Sequence, residues 1–132
     1  MYQYRVKEIL KVIDGDTVDL IIDLGFNIGI KERVRLENIN APEVRTINED
    51  EKKYGYQAKK KLEEYLDTDS NIIISTKKPD STGKYGRVIA DIYVEGKDLT
   101  ACEYLLANHY VWPYFPANGL SELKDLSVLE DE

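Results

Sequence analysis

The opening of the chain alternates polar and apolar positions, as a half-buried strand does. Residues 3–13 and 17–24 form two such runs. Val12, Ile13, Val18, Leu20, Ile21 and Ile22 are the apolar members around the middle, and they imply a hairpin folding about Asp14-Gly15. An Asp-Gly pair suits a type I′ turn, whose two central residues take positive φ. Residues 30–39 continue the alternation through Ile30, Val34, Leu36 and Ile39, with Arg33 and Arg35 together on the other face. Pro42 ends that strand, because it biases Ala41 toward an extended conformation and has no N–H for a ladder.

A polar loop over 43–53 follows. Tyr54, Ala58, Leu62, Tyr65 and Leu66 then recur at helical spacing, opposite lysines and glutamates. Residues 71–76 and 87–94 are two further strand-like runs, separated by a turn-rich loop over 77–87. Asp98 is a candidate cap for a second helix with Leu99, Cys102, Leu105 and Leu106 on one stripe. An aromatic stretch broken by Pro113 and Pro116 leads to a third helix, capped by Ser121 and carrying Leu123, Leu126 and Leu129. Five strands with two to three helices predict an α+β domain built on a small antiparallel barrel. The expected division is one domain over 1–121 and an acidic tail over 122–132.

Composition narrows the classes. A chain of 132 residues can bury a core unaided, and its single cysteine, Cys102, excludes an internal disulfide framework. No apolar run reaches the roughly 20 residues of a membrane span. The first residues lack a signal peptide's unbroken apolar core, so the expectation is a soluble, cytoplasmic monomer. His109 is the only histidine, which argues against a zinc site or histidine-based nucleophilic catalysis. The net charge of −7 argues against a general polyanion binder. The tail from Glu122 contributes −4 of it, however, leaving −3 on the body, and clustered bases or a bound cation could still receive a polyanion.

Three separated stretches carry polar residues that their local roles do not need. Asp16 stands where a β-forming residue is expected at the start of the second strand. Arg35 is followed by Asn40 and Glu43, and Lys84-Tyr85-Gly86-Arg87 leads into the fifth strand. Two carboxylates and an amide oxygen suit a hard cation. Two arginines suit a phosphodiester gaining negative charge, and an ionised glutamate can take a proton from water.

The motifs "DGDTV", "RLENINAPE", "KYG", "GKYGR" and "YVEGK", in this order over residues 4–116, resemble the staphylococcal nuclease family. The resemblance implies a five-stranded OB-fold barrel and calcium-dependent hydrolysis of DNA and RNA, leaving 3′-phosphate and 5′-hydroxyl ends. It places Asp16, Asn40 and the Ala41 carbonyl as calcium ligands, Glu43 as general base, and Arg35 and Arg87 on the reacting phosphate. Lys84 and Tyr85 correspond to auxiliary phosphate contacts, and Tyr114 lies among aromatics that stack a base of single-stranded DNA or RNA. The chain departs from the family at Asn40, where a ligand aspartate is usual, and the loss of that charge should weaken the site. It departs also in a longer hairpin between Asp16 and Arg35, expected to alter substrate access, and in its acidic end. The alternative is an OB-fold module that binds single strands without cleaving them.

Other residues carry plainer readings. Asp14 is expected to be a turn residue, with a place beside the site as the second possibility. Lys59, Lys60 and Lys61 read as the solvated face of a helix, and Cys102 as packing. Trp112 is divided between sealing the barrel and stacking a base.

Overall fold

The computed structural model describes residues 2–76 and 88–113. In these, β1 (Tyr2–Asp14), β2 (Thr17–Asp23), β3 (Gly29–Leu36), β4 (Ile72–Thr76) and β5 (Val88–Val94) close into a barrel in the order β1-β2-β3-β5-β4. Helix α1 (Glu49–Leu66) precedes β4, and α2 (Ala101–Ala107) follows β5. The α+β barrel expected from the sequence is the observed fold. Four of its pairings are antiparallel, while β3 and β5 close the barrel in parallel.

The thirteen-residue β1 pairs with both β2 and β4. It does so by breaking register with β2 between Val6 and Glu8, Ile9 and Lys11, and Val12 and Asp14. Such irregularities bend a strand and raise its twist, which lets one long strand serve two neighbours of a small barrel. Val18, Leu20, Val34, Ile74, Ala90 and Ile92 have no exposed surface and fill the interior. Leu62 and Tyr65 of α1 and Leu105 of α2 belong to the same buried cluster.

Several boundaries differ from the sequence reading, each for a local reason. The first hairpin turns on Gly15-Asp16, with Asp14 paired to Thr17, and none of these takes a positive φ. Gly15 is small for another reason: a Cβ there would lie 2.6 Å from that of Ala58 and 3.1 Å from that of Ala41. Strand β3 stops at Leu36, because Asn38 turns the chain with a left-handed φ of 60°, a region asparagine tolerates. Ile39 is buried beyond the strand, and Asn40 makes a separate two-hydrogen-bond bridge with Trp112.

Helix α1 begins five residues earlier than the apolar spacing indicates. Asn48 caps it by accepting from the Glu51 N–H, and Glu49, Asp50 and Glu51 place negative charge in its first turn. At α2 the cap is Thr100, not Asp98, in a reciprocal box with Glu103, and Leu99 lies outside the helix. The longer β2–β3 hairpin turns through Gly25, Phe26 and Asn27, all at positive φ. Its tip is at the Asp23–Gly29 end of the ladder, whereas Arg35 opposes Thr17 at the other end, so it does not stand over Asp16.

No helix among the described residues is long and apolar enough to cross a membrane. The third helix after Ser121 and the acidic tail lie outside the described residues.

Candidate functional site

The site grows from the β1–β2 turn. Asp16 is buried there, 6% exposed, and both of its carboxylate oxygens accept hydrogen bonds. The Thr17 hydroxyl donates to Oδ1 at 2.8 Å, and the Ala41 N–H donates to Oδ2 at 2.7 Å. Asp14 sits at the end of β1, where its Oδ1 accepts the Val44 N–H at 3.2 Å. From the helix side, Glu51 Oε2 accepts the Glu43 N–H at 3.3 Å. Pro42 has no N–H. Every backbone donor from Ala41 to Val44 is therefore held by a carboxylate.

The same segment is pressed against α1. A Cβ on Gly55 would lie 2.5 Å from the Glu43 carbonyl oxygen and 3.0 Å from that of Pro42. Packing sets the height of Glu43 above the helix, and the three carboxylates set its register.

Arg35 joins this frame from β3. Its Nη1 donates to the Leu36 carbonyl at 2.7 Å, and its Nη2 donates to Asn40 Oδ1 at 3.2 Å. The same Nη2 lies 3.3 Å from Asp16 Oδ2. Asp16 and Asn40, far apart in sequence, thus direct their oxygens at one nitrogen. A cationic group already occupies the point where they converge.

Electrostatics add to the picture. Partial desolvation, with Glu51, Asp14 and Asp16 nearby, pushes the Glu43 carboxyl above its usual range. Burial raises Asp14 too, against the opposing hydrogen bond from Val44, with Asp16 adding to the rise. The Glu43 and Asp14 carboxyls thus resist ionising together, an environment that favours an added cation.

The donor set is compatible with such a cation. One carboxylate, one amide oxygen and one main-chain carbonyl are hard oxygen donors, and water or phosphate oxygens would complete a shell. No group of three or more His, Cys, Asp or Glu side chains suited to holding a metal occurs among the described residues. The protein's share of charge at such a shell is small, as Asn40 dictates.

Of the residues singled out from the sequence, Asp16, Arg35, Asn40, Ala41 and Glu43 meet around one end of the barrel. Lys84, Tyr85, Arg87 and Tyr114 lie outside the described residues. Trp112 is 6% exposed, so it is not an open stacking surface. Tyr110 is half-buried with its ring 6.3 Å from that of Tyr104. Asp14 is no central turn residue but a support for Val44. Glu51 escaped the sequence reading altogether. The Asn48-x-x-Glu51 spacing of a helix start was its one signal, and its carboxylate reaches Glu43 instead of the cap.

A family model described as a staphylococcal nuclease homologue matches residues 33–131. The chain is 33% identical over 89 residues to the endonuclease YncB of Bacillus subtilis (strain 168), covering 67% of this chain and 39% of that protein. It is 30% identical over 89 residues to the SPbeta prophage-derived endonuclease YokF of the same organism, covering 67% of this chain and 28% of that one. In both cases the matched region is well under half of the relative's length.

Proposed function

As the chain belongs to the staphylococcal nuclease homologue family, we propose that it is a calcium-dependent nuclease hydrolysing phosphodiester bonds in single-stranded DNA or RNA. The observation that carries this reading is the meeting of Asp16 and Asn40 at the Arg35 guanidinium, beside the pinned Glu43. Both relatives are named endonucleases, which points the same way.

In this reading Asp16, Asn40 and the Ala41 carbonyl hold the calcium ion. When bound, the ion supplies a Lewis acid for a phosphate oxygen. Glu43 takes a proton from the attacking water, and its raised pKa makes it a better base than a free glutamate. Arg35 donates to the phosphate as charge builds on its oxygens, with Arg87 as its counterpart. Lys84 and Tyr85 add phosphate contacts, and Tyr114 stacks a base. The water oxygen bonds to phosphorus, the P–O5′ bond breaks, and 3′-phosphate and 5′-hydroxyl ends result.

Purified protein is expected to cleave a labelled single strand with added calcium and to stop when a chelator is supplied. Glu43→Gln keeps the backbone frame and should slow cleavage by about 100-fold or more. Cleavage at the wild-type rate in that variant would remove Glu43 as the base. The neutral Asn40 favours one other reading, a binding module. Single-strand binding with no turnover at any calcium concentration would establish it.

A further inference from the structure

A groove of about 730 Å³ begins at the candidate site, with Asp14 and Glu43 in its wall, and runs between the outer face of β1–β3 and the 43–59 stretch. Apart from Asp19, its other charged lining is basic. Lys11 comes from β1, Arg45 from the segment after Glu43, and Lys52 and Lys59 from α1. Arg33 also lines it but is already neutralised, donating to both carboxylate oxygens of Asp19 at 2.7 and 3.0 Å. Among the described residues, none of Lys11, Arg45, Lys52 and Lys59 closes an ion pair.

The helical spacing is informative. Lys52, Tyr56 and Lys59 stand at i, i+4 and i+7, on one stripe of α1. Glu49 and Glu63 are suitably spaced from Lys52 and Lys59, yet the ion pair observed on this helix is Lys61 with Glu64. Lys61 also lies over the Tyr110 ring, 5.6 Å from its centre. The three consecutive lysines 59–61 are therefore not equivalent, and Lys59 alone of them lines the groove. Between Lys52 and Lys59, Tyr56 is half exposed and offers an aromatic face.

We propose that this groove is a track for single-stranded nucleic acid, in which Lys11, Arg45, Lys52 and Lys59 hold the phosphates flanking the reacting one and Tyr56 stacks a base. The proposal rests on the nuclease reading for its direction, since the track leads into that site. Its chemistry is independent of turnover. A chain with net charge −7 that gathers unpaired cations in one concave strip focuses a positive potential there and repels polyanions elsewhere. Cations along a backbone with an interleaved aromatic are what a single strand requires. The volume is within the range, roughly 300–1,000 Å³, of sites that enclose a ligand of nucleotide size.

The test measures fluorescence anisotropy of a labelled twelve-nucleotide oligo-dT in chelator, so that nothing is cleaved, across a salt series. Lys52→Ala/Lys59→Ala should weaken binding at least tenfold at low salt. It should also flatten the slope of log K against log salt by about 1.4, at ~0.7 per phosphate contact for single strands. Tyr56→Ala should weaken binding about fivefold or more with the slope unchanged. With calcium present, the double variant should raise KM for the twelve-mer and leave kcat and the cleavage of a dinucleotide within twofold. Wild-type protein that does not bind the strand, or variants that bind it within twofold of wild type, would overturn the track. Binding that depends on Lys52 and Lys59 in a protein that never cleaves would instead sink the nuclease reading and leave the track standing.

Discussion

Gly55 occupies a helix position where glycine costs up to about 1 kcal/mol relative to alanine. The reason is contact: there is no room for a Cβ against the Glu43 carbonyl 2.5 Å away. Gly55→Ala therefore sets a helix gain of about 1 kcal/mol against an overpacking cost of about 1–3 kcal/mol. The expected net is a loss of up to ~2 kcal/mol in urea unfolding, with a larger proportional loss of the proposed nuclease activity, because Glu43 is what the new methyl displaces. A variant more stable than wild type with full activity would show that the 42–43 segment yields freely. The same logic separates what the sequence revealed from what it hid. Asp16, Asn40 and Glu43 were legible because their positions relative to one another match a family pattern. Gly15 was legible only as a turn former, and Glu51 not at all, since each owes its identity to a neighbour that folding brings in from elsewhere: Ala58 for the glycine, the Glu43 N–H for the glutamate.

At the level of elements, period and turn chemistry located all five strands and two of the helices, and erred where a cap competes with an apolar pattern. The start of α1 is set by Asn48 and an acidic first turn, which carry no hydrophobic signal. How the elements are tied together was hidden as well. Tyr65 was visible as an apolar helix position, and its ring is indeed buried, 5.6 Å from that of Tyr104. Its hydroxyl, however, donates to the Leu99 carbonyl at 2.7 Å and accepts the buried Val94 N–H at 3.2 Å. One oxygen thus links α1, β5 and the approach to α2. Tyr65→Phe keeps the ring and leaves that N–H without its acceptor, at a cost of about 1–3 kcal/mol. Equilibrium urea unfolding should show the midpoint falling at an unchanged slope. A change under about 0.5 kcal/mol would mean that the linkage contributes nothing net.

At the scale of the molecule, the described strands form a closed barrel, and closure leaves none of them with a free edge from which the sheet could peel. Cys102 can report whether the helices share that cooperativity. It lies in the first turn of α2, is 7% exposed, and donates its N–H to Asp91 of β5 and its Sγ–H to the Glu37 carbonyl beyond β3. Burial, reinforced by nearby Asp91, pushes its thiol far above the usual range, so almost no thiolate is available at neutral pH while the fold is intact. Labelling with a thiol reagent must then pass through an opened state. If α2 opens only with the barrel, native labelling should run ~10³-fold or more below the unfolded chain. Its logarithm should rise with urea at the slope of equilibrium unfolding. A rate indifferent to urea would assign the opening to α2 by itself, seven residues held by a Thr100–Glu103 capping box and packing on β5. Since Cys102 also touches the turn between Arg35 and Asn40, that outcome would place a locally labile element directly behind the candidate site. A matching slope would make the segment as durable as the barrel that carries it.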